Sequence, residues 1–168
     1  MSSLSCNTLF GVHSGKEGWL LGKGPSLDRF VQPKGAIIVA VNDTPCKADY
    51  RVWVDGVSKI IDEAKIISPY YHDKSDFSYY TYNKLSEVPK TISESNSVYQ
   101  AGGGATAALH LLWLMGCEKI HVLGIDGGGG YSASYNGNIY TPEHGLMYAK
   151  ILEEFNKLKN HLNIWTLT

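Results

Sequence analysis

Apolar residues along this chain come in short dense bursts separated by glycine-rich and polar stretches, and the spacing inside each burst predicts its element. Trp19-Leu20-Leu21 and Ala36–Val41 (AIIVAV) are continuous apolar runs of strand length, as expected for strands buried on both faces. Tyr50–Val54 (YRVWV), Ala64–Ile67, Lys119–Leu123 (KIHVL) and Ile164–Leu167 read as further strands. Helical spacing marks Ala107–Met115, closed by Gly116, and a helix begun by Pro142-Glu143-His144 with Leu146, Ile151, Leu152, Phe155 and Leu158 on one side. Shorter helices are expected over Ser26–Val31 and through Ile60-Ile61. Strands alternating with helices predict a mostly parallel sheet covered on both faces, a three-layer α/β sandwich forming a single domain over residues 1–168.

Two stretches lack a period. Residues 1–16 are polar and glycine-punctuated and read as a lead-in. Residues 68–98 gather Tyr70, Tyr71, Tyr79, Tyr80 and Tyr82 among Asp, Ser and Lys and read as a long surface excursion. Such tyrosines either stack on a ligand or tack the loop to the domain, and for most of them tacking is the simpler account.

Charge and composition narrow the function. Fifteen basic and sixteen acidic residues leave a net charge of −1, which gives no broad electrostatic footprint for nucleic acid or an anionic membrane. No run is apolar and long enough to span a bilayer, and no leader pattern opens the chain. Cys6, Cys46 and Cys117 are odd in number and far apart, which fits a reducing cytoplasm rather than a disulfide framework or a zinc site.

The candidate chemistry clusters at strand ends. Gly22-Lys23-Gly24-Pro25-Ser26-Leu27 follows the first long strand as a glycine turn and helix start, where backbone amides can meet an anion and Ser26 can cap. Ala101-Gly102-Gly103-Gly104-Ala105-Thr106 opens the central helix and offers a second anion cradle, or only close helix–sheet packing. Asn42-Asp43, Asp55 and Gly124-Ile125-Asp126 end other strands, and Gly127–Tyr131 forms a loop almost without side chains. In a parallel sheet these ends share one rim, so their convergence points to a nucleotide or phosphorylated ligand. Capping or turn chemistry by itself accounts for Asp55 and Asp126. A P-loop is excluded because the turn lacks a Gly-Lys-Ser/Thr ending, and no third glycine completes a dinucleotide fingerprint. His110 and His121 fall inside apolar elements and read as core residues, while His13, His72 and His161 have no evident partner.

Taken together, G-x-G-P-S-L, a strand ending in Asn, a glycine-opened helix leading to a strand ending in G-I-D, and a later His before a helix resemble bacterial sialyltransferases that use CMP-sialic acid. With D-Y-x-V-x-x-D at Asp49–Asp55, the same pattern is also similar to the 6-hydroxymethylpterin diphosphokinase-like family. The resemblance runs from about Trp19 onward and implies a Rossmann-like nucleotide-binding core. It implies nucleotide contacts at Gly22, Gly24, Ser26 and Asn42, places Gly103 and Gly104 beside the nucleotide, and puts Tyr131 or Tyr135 near the leaving phosphate. It places His144 at the general base, a role an imidazole suits near neutral pH. The sialyltransferases usually have Asn between the first two glycines, where this chain has Lys23, a cation able to meet phosphate. Their acceptor-binding lid is reduced here to the tyrosine-rich loop.

Two classes of function follow. One is a nucleotide-dependent transferase, most simply a glycosyltransferase with a nucleotide-activated donor, or, as the second resemblance implies, a diphosphokinase-like enzyme with magnesium, for which Asp43, Asp55 and Asp126 are the candidate carboxylates. The other is a binding module that holds a nucleotide or nucleotide-derived signal molecule unchanged. Exposed tyrosines could also serve a homo-oligomeric interface.

Overall fold

The structure is a computed structural model, and it describes residues 3–70, 74–92 and 95–168. Among them lie nine strands: β1 Leu4–Ser5, β2 Glu17–Leu21, β3 Ile37–Val41, β4 Tyr50–Val52, β5 Lys65–Pro69, β6 Phe77–Tyr82, β7 Ser97–Tyr99, β8 Lys119–Leu123 and β9 Thr166–Leu167. Two α-helices, α1 (Gly104–Leu114) and α2 (Pro142–His161), complete the regular structure with three short 3-10 turns.

The strands run in the order β1-β6-β5-β4-β3-β2-β8-β9, with β7 also on β6, and every pairing is parallel. From β2 the chain therefore steps outward through β3, β4, β5 and β6 before α1 carries it back to β8, on the other side of β2. That reversal beside β2 is a topological switch point of a Rossmann-like α/β fold.

Alternate residues of the central strands serve opposite faces. Leu20, Ile37, Val39, Ile120 and Val122 join Ala107, Leu111 and Leu112 of α1 and Phe155 and Leu158 of α2 in the main core. Leu21, Ile38 and Leu123 pack on the other face with Leu27, under Trp19, Phe30, Cys46 and Ala48. That second face carries a 3-10 turn, Pro25–Arg29, where an α-helix over Ser26–Val31 is expected. The helix expected through Ile60-Ile61 is absent, and both side chains are exposed there.

The two aperiodic stretches are more ordered than their sequences suggest. The lead-in supplies β1 and a 3-10 turn, Cys6–Leu9, that sinks Cys6 and Leu9 into the core. Within 68–98 the chain forms β6 and β7, and Tyr79 is fully buried with its hydroxyl donating to Gln100 Oε1 at 2.7 Å. Tyr70 and Tyr80 stack on one another at the surface, 4.3 Å between centroids. Tyr71 and His72 lie outside the described residues. Among the described residues no helix is long and apolar enough to cross a membrane.

Candidate functional site

A cleft of about 400 Å³ opens at the switch point, bounded by the chain just beyond β2, β3, β4 and β8 and by the start of α1. Gly22, Lys23, Gly24, Asn42, Asp43, Gly103, Gly104, Asp126, Tyr131 and His144 all line it, and so does Asp55. Ser26 does not: it sits behind the wall.

The first glycine turn is built differently from the anion cradle its sequence suggests. Gly22 N–H donates to Leu123 O and Gly24 N–H to Gly124 O, both at 2.9 Å. Ser26 donates through its N–H (2.8 Å) and hydroxyl (2.5 Å) to the Asp126 carboxylate, and accepts the Gly124 N–H at 2.7 Å. These amides face the neighbouring loop, so they are not free for a ligand. The glycines serve close approach: a Cβ on Gly22 would lie 2.5 Å from Gly124 O, and one on Gly124 2.0 Å from Gly22 O. Asp126 is thereby a turn-binding carboxylate. No group of three or more His, Cys, Asp or Glu able to hold a metal occurs among the described residues, so Asp43, Asp55 and Asp126 are not gathered around one ion.

The free donors lie instead at α1. Its N-cap is Gly103, at φ 140°, with no side chain to satisfy the first turn. Gly103 N–H donates to Gln100 O, but the amides of Gly104, Ala105 and Thr106 have no acceptor among the described residues. The unpaired amides of the cleft-lining Gly104 and Ala105, with the positive end of the helix dipole, thus meet at the cleft.

Lys23 reaches across the cleft wall. Its Nζ donates to Asp43 Oδ1 at 2.9 Å and to the Tyr135 hydroxyl oxygen at 3.2 Å, and sits 4.6 Å above the Tyr135 ring. The Tyr135 hydroxyl in turn donates to Asp43 Oδ2 at 3.0 Å. Burial works against both charges, yet the hydrogen bonds between them outweigh it, raising the Lys23 ammonium and lowering the Asp43 carboxyl from their ordinary values. Tyr131 packs against Tyr135, Tyr140 and Tyr148, its hydroxyl 3.1 Å from that of Tyr148. Burial and that bond raise the Tyr148 phenol.

His144 is the third residue of α2. Its N–H donates to Thr141 Oγ1 at 3.3 Å, and its Nδ1 accepts the Thr141 N–H at 3.1 Å. Among the described residues, His13, His110, His121 and His161 are each held by neighbours away from the cleft. His110 Nδ1 accepts the Tyr99 N–H, and burial pushes its pKa down to about 3. His121 stacks on Trp19 and bonds Glu17, His13 bonds the Tyr50 hydroxyl, and His161 bonds Val88 O. Burial raises the thiols of Cys6, Cys46 and Cys117 to about 12, 11 and 11, which leaves no thiolate nucleophile among them.

Two residues that shape the site, Arg51 and Trp53, escape a reading of the sequence. Asn42 lies on the rim, and its backbone, at φ 48°, is bonded through its carbonyl to Arg51, which lies buried one strand away. Arg51 forms a fork with Asp62, Nε and Nη2 at 3.0 Å from its two oxygens, and also donates to Asn42 O, Thr44 O and Cys46 O. Trp53, next in register to Asn42 and 5 % exposed, lines the cleft with its indole N–H unpaired among the described residues. The Asn42 amide oxygen is likewise buried and unpaired. Asp55 is a carboxylate on the cleft with no partner among the described residues. An apolar strand ending in charge is the only signal the sequence carries for Arg51 or Trp53.

Fold and site together define an α/β protein of Rossmann-like architecture with a cleft at the switch point of a parallel sheet. No protein-family model matches the chain, and no curated protein matches it. Among solved structures it is similar to the MAf glycosyltransferase from Magnetospirillum magneticum AMB-1, with 10% identity and a TM-score of 0.47 over 82% of this chain. The chain spans 29% of the length of that glycosyltransferase. Function therefore rests on the geometry of the cleft itself.

Proposed function

We propose that the cleft binds a nucleotide-activated ligand and that the protein is a nucleotide-dependent transferase of the glycosyltransferase kind. The observation that carries the reading is the uncapped start of α1, whose unpaired amides open onto a crevice at the switch point. A phosphate over Gly103 and Gly104 would accept those amides, and Lys23 would add a cation. The buried, unpaired groups of Asn42 and Trp53 supply polar contacts for the remainder of a nucleotide. The tyrosines around Tyr131 offer flat apolar faces and hydroxyls to the transferred group. An acceptor hydroxyl would give up its proton to a base on the cleft, for which His144 and Asp55 are the candidates.

A second reading, a module that holds its ligand unchanged, draws on how much of the rim is already paired. Asp126 is bound to Ser26 and Asp43 to Lys23 and Tyr135. Mass spectrometry of small molecules released from the purified, denatured protein tests both readings, followed by incubation with CMP-, UDP- and GDP-sugars. Free nucleotide accumulating with time supports transfer, and intact ligand recovered quantitatively supports holding. Absence of a thermal shift with every nucleotide would remove both.

A further inference from the structure

The cap at the start of α2 limits what His144 can do. A backbone N–H only donates, so the Thr141 N–H on Nδ1 requires that nitrogen to be bare, and the neutral ring must carry its proton on Nε2. In that tautomer Nε2 has no lone pair to offer a substrate. It can accept a proton only after the ring has changed tautomer, and a proton on Nδ1 would face another N–H. The third helical position of such a cap is ordinarily Glu or Gln, which provide the same acceptor. Histidine keeps the acceptor and adds an N–H on the opposite side of the ring, on a residue that lines the cleft.

We propose that His144 is a positioning residue that presents a fixed, neutral hydrogen-bond donor to an anionic oxygen of the ligand, and that it is not the base. The proposal rests on the nucleotide reading of the same cleft. The rings facing His144 are those of Tyr131, Tyr140 and Tyr148, with centroids 6.2–6.3 Å away. The neighbouring carboxylate, Glu143, is held by its own amide and by Thr141. A base for transfer is then Asp55, which is unpaired among the described residues.

The tautomer is read directly from the ring nitrogen shifts in two-bond ¹H–¹⁵N correlation spectra of the full chain. Affinity is measured by calorimetry with inorganic pyrophosphate and with CMP, UMP, AMP and GMP singly. The expected tautomer of the neutral ring is Nε2–H, with Nδ1 bare toward the Thr141 N–H. His144→Gln retains both the cap acceptor and a donor, so it should bind within about twofold of wild type, whereas His144→Leu should bind about tenfold more weakly. His144→Glu keeps the cap but sets an anion against the ligand, and should bind more weakly still. Urea midpoints of the Gln and Glu variants should match wild type, separating a folding defect from a lost donor.

An Nδ1–H tautomer with normal wild-type binding overturns the donor role alone. Equal loss of affinity in the Gln and Leu variants also overturns it. If wild type binds none of the probes, the nucleotide reading fails, and the donor role fails with it even where the Nε2–H tautomer is observed.

Discussion

Replacing Arg51 with Met tests whether a buried guanidinium holds the cleft wall in place. Arg51 is 2 % exposed, and all of its N–H groups are engaged, by Asp62 and by the carbonyls of Asn42, Thr44 and Cys46. Met fills a similar volume but leaves Asp62 without its cation and the Asn42 and Cys46 carbonyls without the guanidinium donor, while Thr44 O keeps only the Cys46 N–H. Removing one member of a buried pair costs about 3–5 kcal/mol, a large part of the roughly 5–15 kcal/mol typical of a domain. With a urea m-value of about 2 kcal/mol/M, the midpoint should fall by roughly 2 M. The carbonyl partners lie in the Asn42–Cys46 segment, so nucleotide affinity should fall even where the variant is fully folded. The double variant Arg51→Met/Asp62→Leu should regain part of the loss, since it removes the stranded carboxylate. A loss in Arg51→Met below about 1 kcal/mol would refute the assignment of the wall's order to this residue.

Other outcomes follow from individual groups. Burial raises the Asp62 carboxyl, but Arg51 and the amides of Ala64 and Ala48 outweigh that and lower it overall, so its stabilisation is present above about pH 4 and lost on further acidification. Acid titrations of urea midpoints should show this limb in wild type and a weaker one in Arg51→Met. His110 is held neutral down to about pH 3 in the fold but protonates near 6.5 when unfolded, so stability should decline as pH falls below 6.5, by up to about 1.4 kcal/mol per pH unit. Urea melts between pH 7 and 5 check this, with His110→Gln flattening the slope. Lys23→Ala should weaken pyrophosphate binding by about tenfold at low salt and by less at high salt, measured by calorimetry in two buffers. Gly124→Ala, whose Cβ would collide with Gly22 O, should destabilise by more than about 1 kcal/mol and lower nucleotide affinity as well.

The long apolar runs announced β2, β3, β8 and α1 because burial on both faces leaves a continuous signal. Glycine and polar residues at their ends likewise announced most of the rim. What stayed hidden broke the alternation of apolar and polar residues or was too short to show a period. In β6, Ser78 and Tyr79 are both buried, so no alternation of apolar and polar marks the strand. Cys6 and Leu9 enter the core singly from a 3-10 turn, too briefly to show a period. The role of Gly22–Ser26 was legible as a tight glycine turn but not in its partners, because Ser26 and Asp126 meet across one hundred residues of chain. His144 shows the same limit, since its cap bond to Thr141, not its identity, sets which nitrogen is free to act.

The pairing of β2 with β8 has a consequence in time. Glu17 to Leu21 cannot find Lys119 to Leu123 until the intervening strands and α1 have been made and largely ordered, and closing so long a loop is slow relative to local structure. The two glycine turns, and the cleft between them, are therefore among the last features to assemble during synthesis or refolding. Ligand capture by a refolding chain should accordingly lag behind the recovery of helical signal, and its half-time would date the arrival of β8 at the centre of the sheet.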